Sequence, residues 1–299
     1  MTTAPRTRPA VTLALGDWRP VAEMHAERAD AMTAGHRARR ASGERHPIDD
    51  FLYDYYGARP GLLRRWHPGP DVVLGPSPDG APAEHAAWRW YRTDDAARVR
   101  LDVDAFLADR GDTVTYVAAL LGATASRRPH TGCFGLHEWA MVYRTGDGRR
   151  RHDLPLRLGQ DGTDAVIDAH PVTCTHFDAF RFFTPDAVGR NAAQLTREGQ
   201  PGSEQPGCLH AGMDCFKWAL KLGPAVPGDL LLDCFELATE IRSTDMQASP
   251  YDVSSLGLEA IAIETPEGKT EYVRRQRVYA VRSNELRRRL VDACLALHG

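Results

Sequence analysis

Apolar residues recur at helical spacing in two neighbouring stretches of the chain. At about 100° per residue, Leu209, Met213, Phe216 and Leu220 fall on one stripe. His210, Asp214, Lys217 and Lys221 fall on a second stripe, roughly a quarter-turn away. Further on, Leu230, Cys234, Leu237 and Ile241 repeat the apolar stripe, with Asp233, Glu236 and Glu240 beside it. These spacings predict helices over 208–221 and 229–245. The Gly/Pro-rich link between them is short, so the two should be antiparallel neighbours. If both apolar stripes enter one core, the polar edges line a shared groove. That groove would hold one imidazole, two lysines and four carboxylates.

Elsewhere the pattern is more broken. A helix is expected over 17–45 with Asp17 as its cap, and another over 102–122. Residues 51–56 form an aromatic block, and 68–86 and 184–207 carry the Pro and Gly of loops. Residues 145–152 form a charged turn. Alternation predicts strands at 154–158 and 172–183, and a hairpin pairing 260–264 with 271–281 around Pro266-Glu267-Gly268. A last helix is expected from a Ser283 cap to Leu297. The expected fold class is α+β: a helix-rich domain with a small antiparallel sheet and a C-terminal hairpin. A flexible tail, 1–16, precedes a single globular catalytic domain, 17–299.

Composition narrows the function classes. The 299 residues carry a formal net charge of −3, whereas proteins that live on the nucleic-acid backbone are usually basic. The arginines from Arg274 to Arg289 read as a solvated helix face or edge strand. None of the six cysteines lies in a Cys-x-x-Cys pair, so they read as buried thiols in a reducing compartment. The N-terminus has no apolar leader, and no run approaches the roughly 20 apolar residues that cross a bilayer. A cytoplasmic protein is expected, with no membrane and no obligate protein partner.

The groove residues suggest three chemistries. A carboxylate activates water or stabilises a cationic transition state, and a lysine lowered by burial acts as nucleophile. His210 and Asp214, four apart, have the spacing of two ligands to one metal. On the expected strand, His176 and Asp178 share a face, and His-x-Asp with a distant His is the ligand pattern of a facial-triad iron site. His210 or His170 would be the distant ligand. The plainer reading of each pair is an ion-paired surface or a hydrogen-bonded pair. His137 and Glu138 are adjacent, so on a helix they point apart and a structural role is expected. Asp245 follows the acidic helix into a turn, where site residues often sit.

The runs HPIDDFLYDYYGARPGLLRRWHPG, GCFGLHEWAMVYR, CTHFDAFRFFTPDA, QPGCLHAGMDCFKWALKL, IRSTDMQASPYD and IETPEGKTEYV carry a resemblance. They resemble a group of bacterial proteins labelled 3-methyladenine DNA glycosylase, over most of the chain from about His46 to the C-terminal helix. The resemblance implies hydrolysis of the N-glycosidic bond of an alkylated purine, without a cofactor, on a nucleic-acid or nucleoside-like substrate. Asp214, Glu236 and Asp245, with Lys217 and His210, would supply the catalytic groups. Tyr55, Trp66, Arg65 and Lys221 would hold the flipped base and its backbone. The turn Val226-Pro227-Gly228-Asp229 lacks the second glycine of a helix–hairpin–helix phosphate turn. Two alternatives stand beside this reading. One is an iron or zinc enzyme acting on a small molecule, its ligands drawn from His170, His176, Asp178, His210 and Asp214. The other is a nucleotide- or metabolite-binding protein.

Overall fold

The computed structural model describes residues 10–146 and 152–298. The first part of the expected tail and most of the charged turn lie outside them. In chain order the elements begin with β1 (Val11–Leu13), α1 (Leu15–Ser42), α2 (Phe51–Tyr56), α3 (Pro60–Leu63), β2 (Val72–Leu74), β3 (Tyr91–Thr93) and β4 (Val99–Leu101). There follow α4 (Val103–Ser126), α5 (Leu136–Ala140), α6 (Gly159–Ala169), α7 (Phe177–Phe180), α8 (Pro185–Val188) and α9 (Gln200–Ser203). The last three are α10 (Leu209–Leu222), α11 (Gly228–Gln247) and α12 (Pro266–Leu295). The fold is α+β and helix-rich, as the pattern predicts.

The two helices with paired stripes form where expected. Their apolar stripes are buried, Leu220 only in part, and α10 packs along α11. α12 lies against α4, α10 and α11. The crossing is close because Gly212 sits in it: a Cβ there would stand 2.9 Å from Ile241 Cδ1 of α11 and 3.7 Å from Ser283 Cβ of α12. The sheet packs beside this helical core in the order β1-β2-β4-β3. It is mixed rather than antiparallel, because β1 pairs with β2 in parallel, Val11 against Val72. Part of the expected tail is therefore structured. Asp17 stands at the third position of α1, not at its cap, and its carboxylate accepts from the Ala14 N–H at 3.2 Å.

The expected C-terminal hairpin does not form. Residues 266–295 are one helix, and Ser283 is buried in its middle, with its hydroxyl donating to Ala280 O. Pro266, Glu267 and Gly268 are the first turn of that helix rather than a hairpin turn. Thr265 Oγ1 caps it by accepting from Gly268 N at 3.1 Å, and proline suits a first helical position. Gly268 is needed for close approach: a Cβ would lie 2.0 Å from Ala262 O. The expected strand 172–183 is also absent. Val172 makes an isolated bridge to Asn191, and Phe177–Phe180 turn as a helix that brings Phe180 against Phe183, their rings tilted at 58°. Over 154–158 only Leu156 is bridged, to Tyr251.

The arginine-rich stretch is mostly the solvated face anticipated. Arg274 and Arg275 pair with Glu271, Arg282 with Glu240, and Arg289 with Asp229 and Asp233. Arg287 departs from it, being fully buried against Ser283 and Asn284. All six cysteines are buried and unpaired. Among the described residues, no helix is long and apolar enough to cross a membrane.

Candidate metal centre and its neighbouring ion network

Three helices bring four ionisable side chains into the core. Phe134 and Gly135 both take positive φ, 46° and 73°, and so turn the chain sharply into α5. That short helix buries both His137 and Glu138 among Leu136, Trp139 and Ala140. His210 comes from the first turn of α10 and Asp245 from the last turns of α11. One donor atom from each of these four residues lies within 4.8 Å of one from each of the others. His137 Nε2 is 3.1 Å from Asp245 Oδ1, and the His137 and His210 rings meet edge to face at 4.5 Å.

Part of the hydrogen-bonding capacity in this group is unmet. Glu138 Oε2 and His210 Nδ1 are buried with no hydrogen-bond partner, and His137 Nε2 and Asp245 Oδ1 have only each other, as an ion pair. Burying such groups unpaired costs on the order of 1–3 kcal/mol each. Donors bound to one ion at about 2.0–2.2 Å sit about 3 Å apart, which is the spacing of His137 and Asp245. The other carboxylate oxygens are engaged: Arg242 Nη1 reaches Glu138 Oε1 at 3.4 Å and Asp245 Oδ2 at 3.5 Å. One guanidinium thus orients both carboxylates, as outer partners of metal ligands do. Burial pushes Asp245 up, yet His137, His210 and Arg242 together hold it below the usual carboxylate range. His210 is pushed well down, first by burial and then by the charge of His137.

A second group lies alongside, with the His176 and His210 ring centres 5.4 Å apart. His176, Glu204 and Asp214 are each at most 2 % exposed. Here the carboxylates have their partners, although His176 Nδ1 is buried without one. His176 Nε2 faces Glu204 Oε1 at 3.2 Å and Asp214 Oδ2 at 3.3 Å. Asp214 Oδ2 also accepts from Lys217 Nζ at 2.9 Å, and its Oδ1 accepts from the Tyr56 hydroxyl at 2.9 Å. Glu204 Oε1 accepts from Gln200 Nε2 at 2.6 Å. Lys217 reaches on to Asp178 at 2.7 Å, which Arg181 and Arg197 approach from the other side. Burial alone would lower His176, but Glu204 and Asp214 overcome it and raise it to about 10. Burial would likewise raise Asp214, and Lys217 and His176 hold it down. His176, Lys217 and Tyr56 together answer the inward carboxylate oxygens, so this group is an ion network.

The expected site residues therefore divide. His210 and Asp245 meet in the first group, and Asp214 and Lys217 in the second. His210 and Asp214, expected to share one metal, face different groups. His176 and Asp178 do not share an ion either, because Asp178 is taken by Lys217. His170 lies apart, bonded to Val166 O and Lys269 Nζ. Glu236 is on the surface with Arg28 at 2.8 Å, because the acidic edge of α11 faces out toward the arginines. The single shared groove is thus not formed. Lys221 is exposed at the end of α10. Trp66 is buried beside Trp18 and His85, and Arg65 lies over Trp88. Tyr55 stacks on Phe51 at 5.0 Å in the wall of a cleft of about 590 Å³.

His137 and Glu138 were expected to be structural, and Glu204 and Arg242 carried no expectation. An ionisable pair inside the apolar run Gly135–Val142 was a signal for the first two. Arg242 continues the face of Phe235 and Ala238, which phases it inward. Glu204 stands in a loop-rich stretch with no periodicity to place it. No protein-family model, curated protein or solved structure matches the chain.

Proposed function

We propose that the protein is a metal-dependent enzyme acting on a small molecule, with one divalent ion held by His137, Glu138, His210 and Asp245. The observation that carries this is the convergence of four buried side chains, one donor atom of each within 4.8 Å of the others, with Glu138 Oε2 and His210 Nδ1 lacking hydrogen-bond partners. Two imidazoles and two carboxylates without sulfur suit iron(II), manganese or zinc. Such an ion supplies Lewis-acid chemistry or a reactive bound water. The donor set differs from the one expected on sequence grounds, sharing only His210 with it. A glycosylase would need a carboxylate exposed to a base-sized pocket. Asp214 is enclosed by Tyr56, Lys217 and His176, Asp245 is fully buried, and Glu236 belongs to the surface.

Elemental analysis of protein purified without chelator tests the reading. One equivalent of iron, manganese or zinc per chain is expected in the wild type. His210→Ala and Asp245→Asn should each lower it at least about tenfold while the chain stays folded by circular dichroism. Metal-free protein that releases 3-methyladenine from alkylated DNA at full rate would overturn it in favour of the glycosylase.

A further inference from the structure

Arg242 has more hydrogen-bonding capacity than its neighbours use. Its Nη1 serves the two carboxylates of the candidate centre. The opposite edge of a guanidinium, formed by Nε and Nη2, is the fork that takes a carboxylate in two parallel hydrogen bonds. On that edge, among the described residues, Nη2 donates to His152 Nε2 alone at 3.2 Å, and Nε has no hydrogen-bond partner although it is buried. Arg242 as a whole is 2 % exposed. It lies one side chain below the cleft of about 590 Å³, with the Phe51 ring 4.0 Å from its guanidinium carbon. Phe51 and His152 both line that cleft.

Charge points the same way. Glu138 and Asp245 contribute two negative charges, and Arg242 one positive. In the neighbouring network His176 and Lys217 answer Glu204 and Asp214, and Asp178 faces Lys217 and the exposed Arg181 and Arg197. A divalent ion would leave one buried positive charge in excess, which a low-dielectric interior disfavours. A single anion completes the balance.

We infer that the Nε/Nη2 edge of Arg242 is a binding site for a small carboxylate, admitted from the Phe51–Tyr55–His152 cleft and seated beside the ion. The charge part of this rests on the metal reading. The carboxylate takes the position on Nη2 that His152 holds, and adds the bond that Nε lacks. His152 thus marks the position in its absence. The substrate class that follows is a carboxylate-bearing molecule, with its apolar part against Phe51 and Tyr55.

The test uses full-length protein loaded with cobalt(II), whose visible bands report ligands near the ion. Acetate should shift the bands saturably, and neutral acetamide should not. At cobalt(II) concentrations that keep each variant loaded, Arg242→Met should weaken acetate at least about tenfold, and Arg242→Lys less. His152→Ala removes the competitor and should tighten acetate. Cobalt(II) uptake with bands that ignore acetate, or answer acetamide equally, overturns the carboxylate site and leaves the metal reading standing. The same holds if His152→Ala weakens acetate as much as Arg242→Met does. No cobalt(II) uptake at all overturns both.

Discussion

Two buried groups of histidines and carboxylates lie side by side in this protein, and they differ in what satisfies them. Around His176, every carboxylate oxygen that faces inward has a donor: Tyr56, Gln200, Lys217 or the imidazole itself. Around His210, one guanidinium holds the outer oxygens, His137 pairs with Asp245, and Glu138 Oε2 and His210 Nδ1 have no hydrogen-bond partner. The residue types are nearly the same. The supply of N–H and O–H donors is what separates them. A lysine one turn from Asp214 gives the first group a fixed positive charge, and among the described residues no lysine or tyrosine hydroxyl is hydrogen-bonded to Glu138 Oε2 or His210 Nδ1 of the second. Residue composition alone is thus a poor guide to a metal site, whereas unmet hydrogen-bonding capacity in a buried cluster points to one.

The sharpest way to break this comparison is to remove a partner from the first group. Lys217→Met leaves Asp214 and Asp178 buried with one cation fewer. Losing one partner of a buried pair costs about 3–5 kcal/mol, and the partly open position of Lys217 places this case at the lower end. Urea denaturation should show that loss, while metal content stays at the wild-type level. If the metal leaves with the lysine, the two groups are one unit and the distinction fails.

A pH series on chelated protein examines the same contrast from the proton side. His176 is raised to about 10 by Glu204 and Asp214, whereas an unfolded imidazole titrates near about 6.5. The folded chain keeps a proton that the unfolded chain releases, so this contribution is complete below about pH 6.5. Above that it falls by about 1.4 kcal/mol per pH unit, until the folded group also titrates near about 10. In His176→Gln the slope from this group should vanish, although the variant is less stable throughout. An unchanged slope would remove the imidazolium from the network.

The smallest effect is expected at the residue that the helical pattern placed in the groove and the fold places outside. Glu236 pairs with Arg28 in a half-exposed position, where such pairs contribute about 0–1 kcal/mol. Glu236→Gln should change neither metal content nor the cobalt(II) spectrum, and should shift stability by no more than about 0.5 kcal/mol. Loss of metal in this variant would restore the shared groove.

Much of the fold was legible because amphipathic stripes are local. The stripes at Leu209–Leu220 and Leu230–Ile241 specify two helices and the faces they bury, and both form within a residue or two of expectation. The hairpin failed because Pro266-Glu267-Gly268 suits either a turn or a helix start. The Thr265 cap and the packing of Tyr272, Gln276 and Ala280 in the core chose the helix. His137 and Glu138 were expected to point apart, but adjacency on a helix separates side chains by angle only. In a helix of five residues sunk in the core, both still reach the same neighbours.

By itself, then, the chain determined which residues are amphipathic, where the long helices run and which ionisable groups exist to be buried. It left open which of them meet. His210 and Asp214 share one helix edge, yet Asp245 claims one and Lys217 the other, across distances of 35 and 3 residues along the chain. Only the packed structure decides such assignments. Hydrogen-bond satisfaction depends on donors brought together from α2, α5, α10 and α11, and no local pattern encodes their distances.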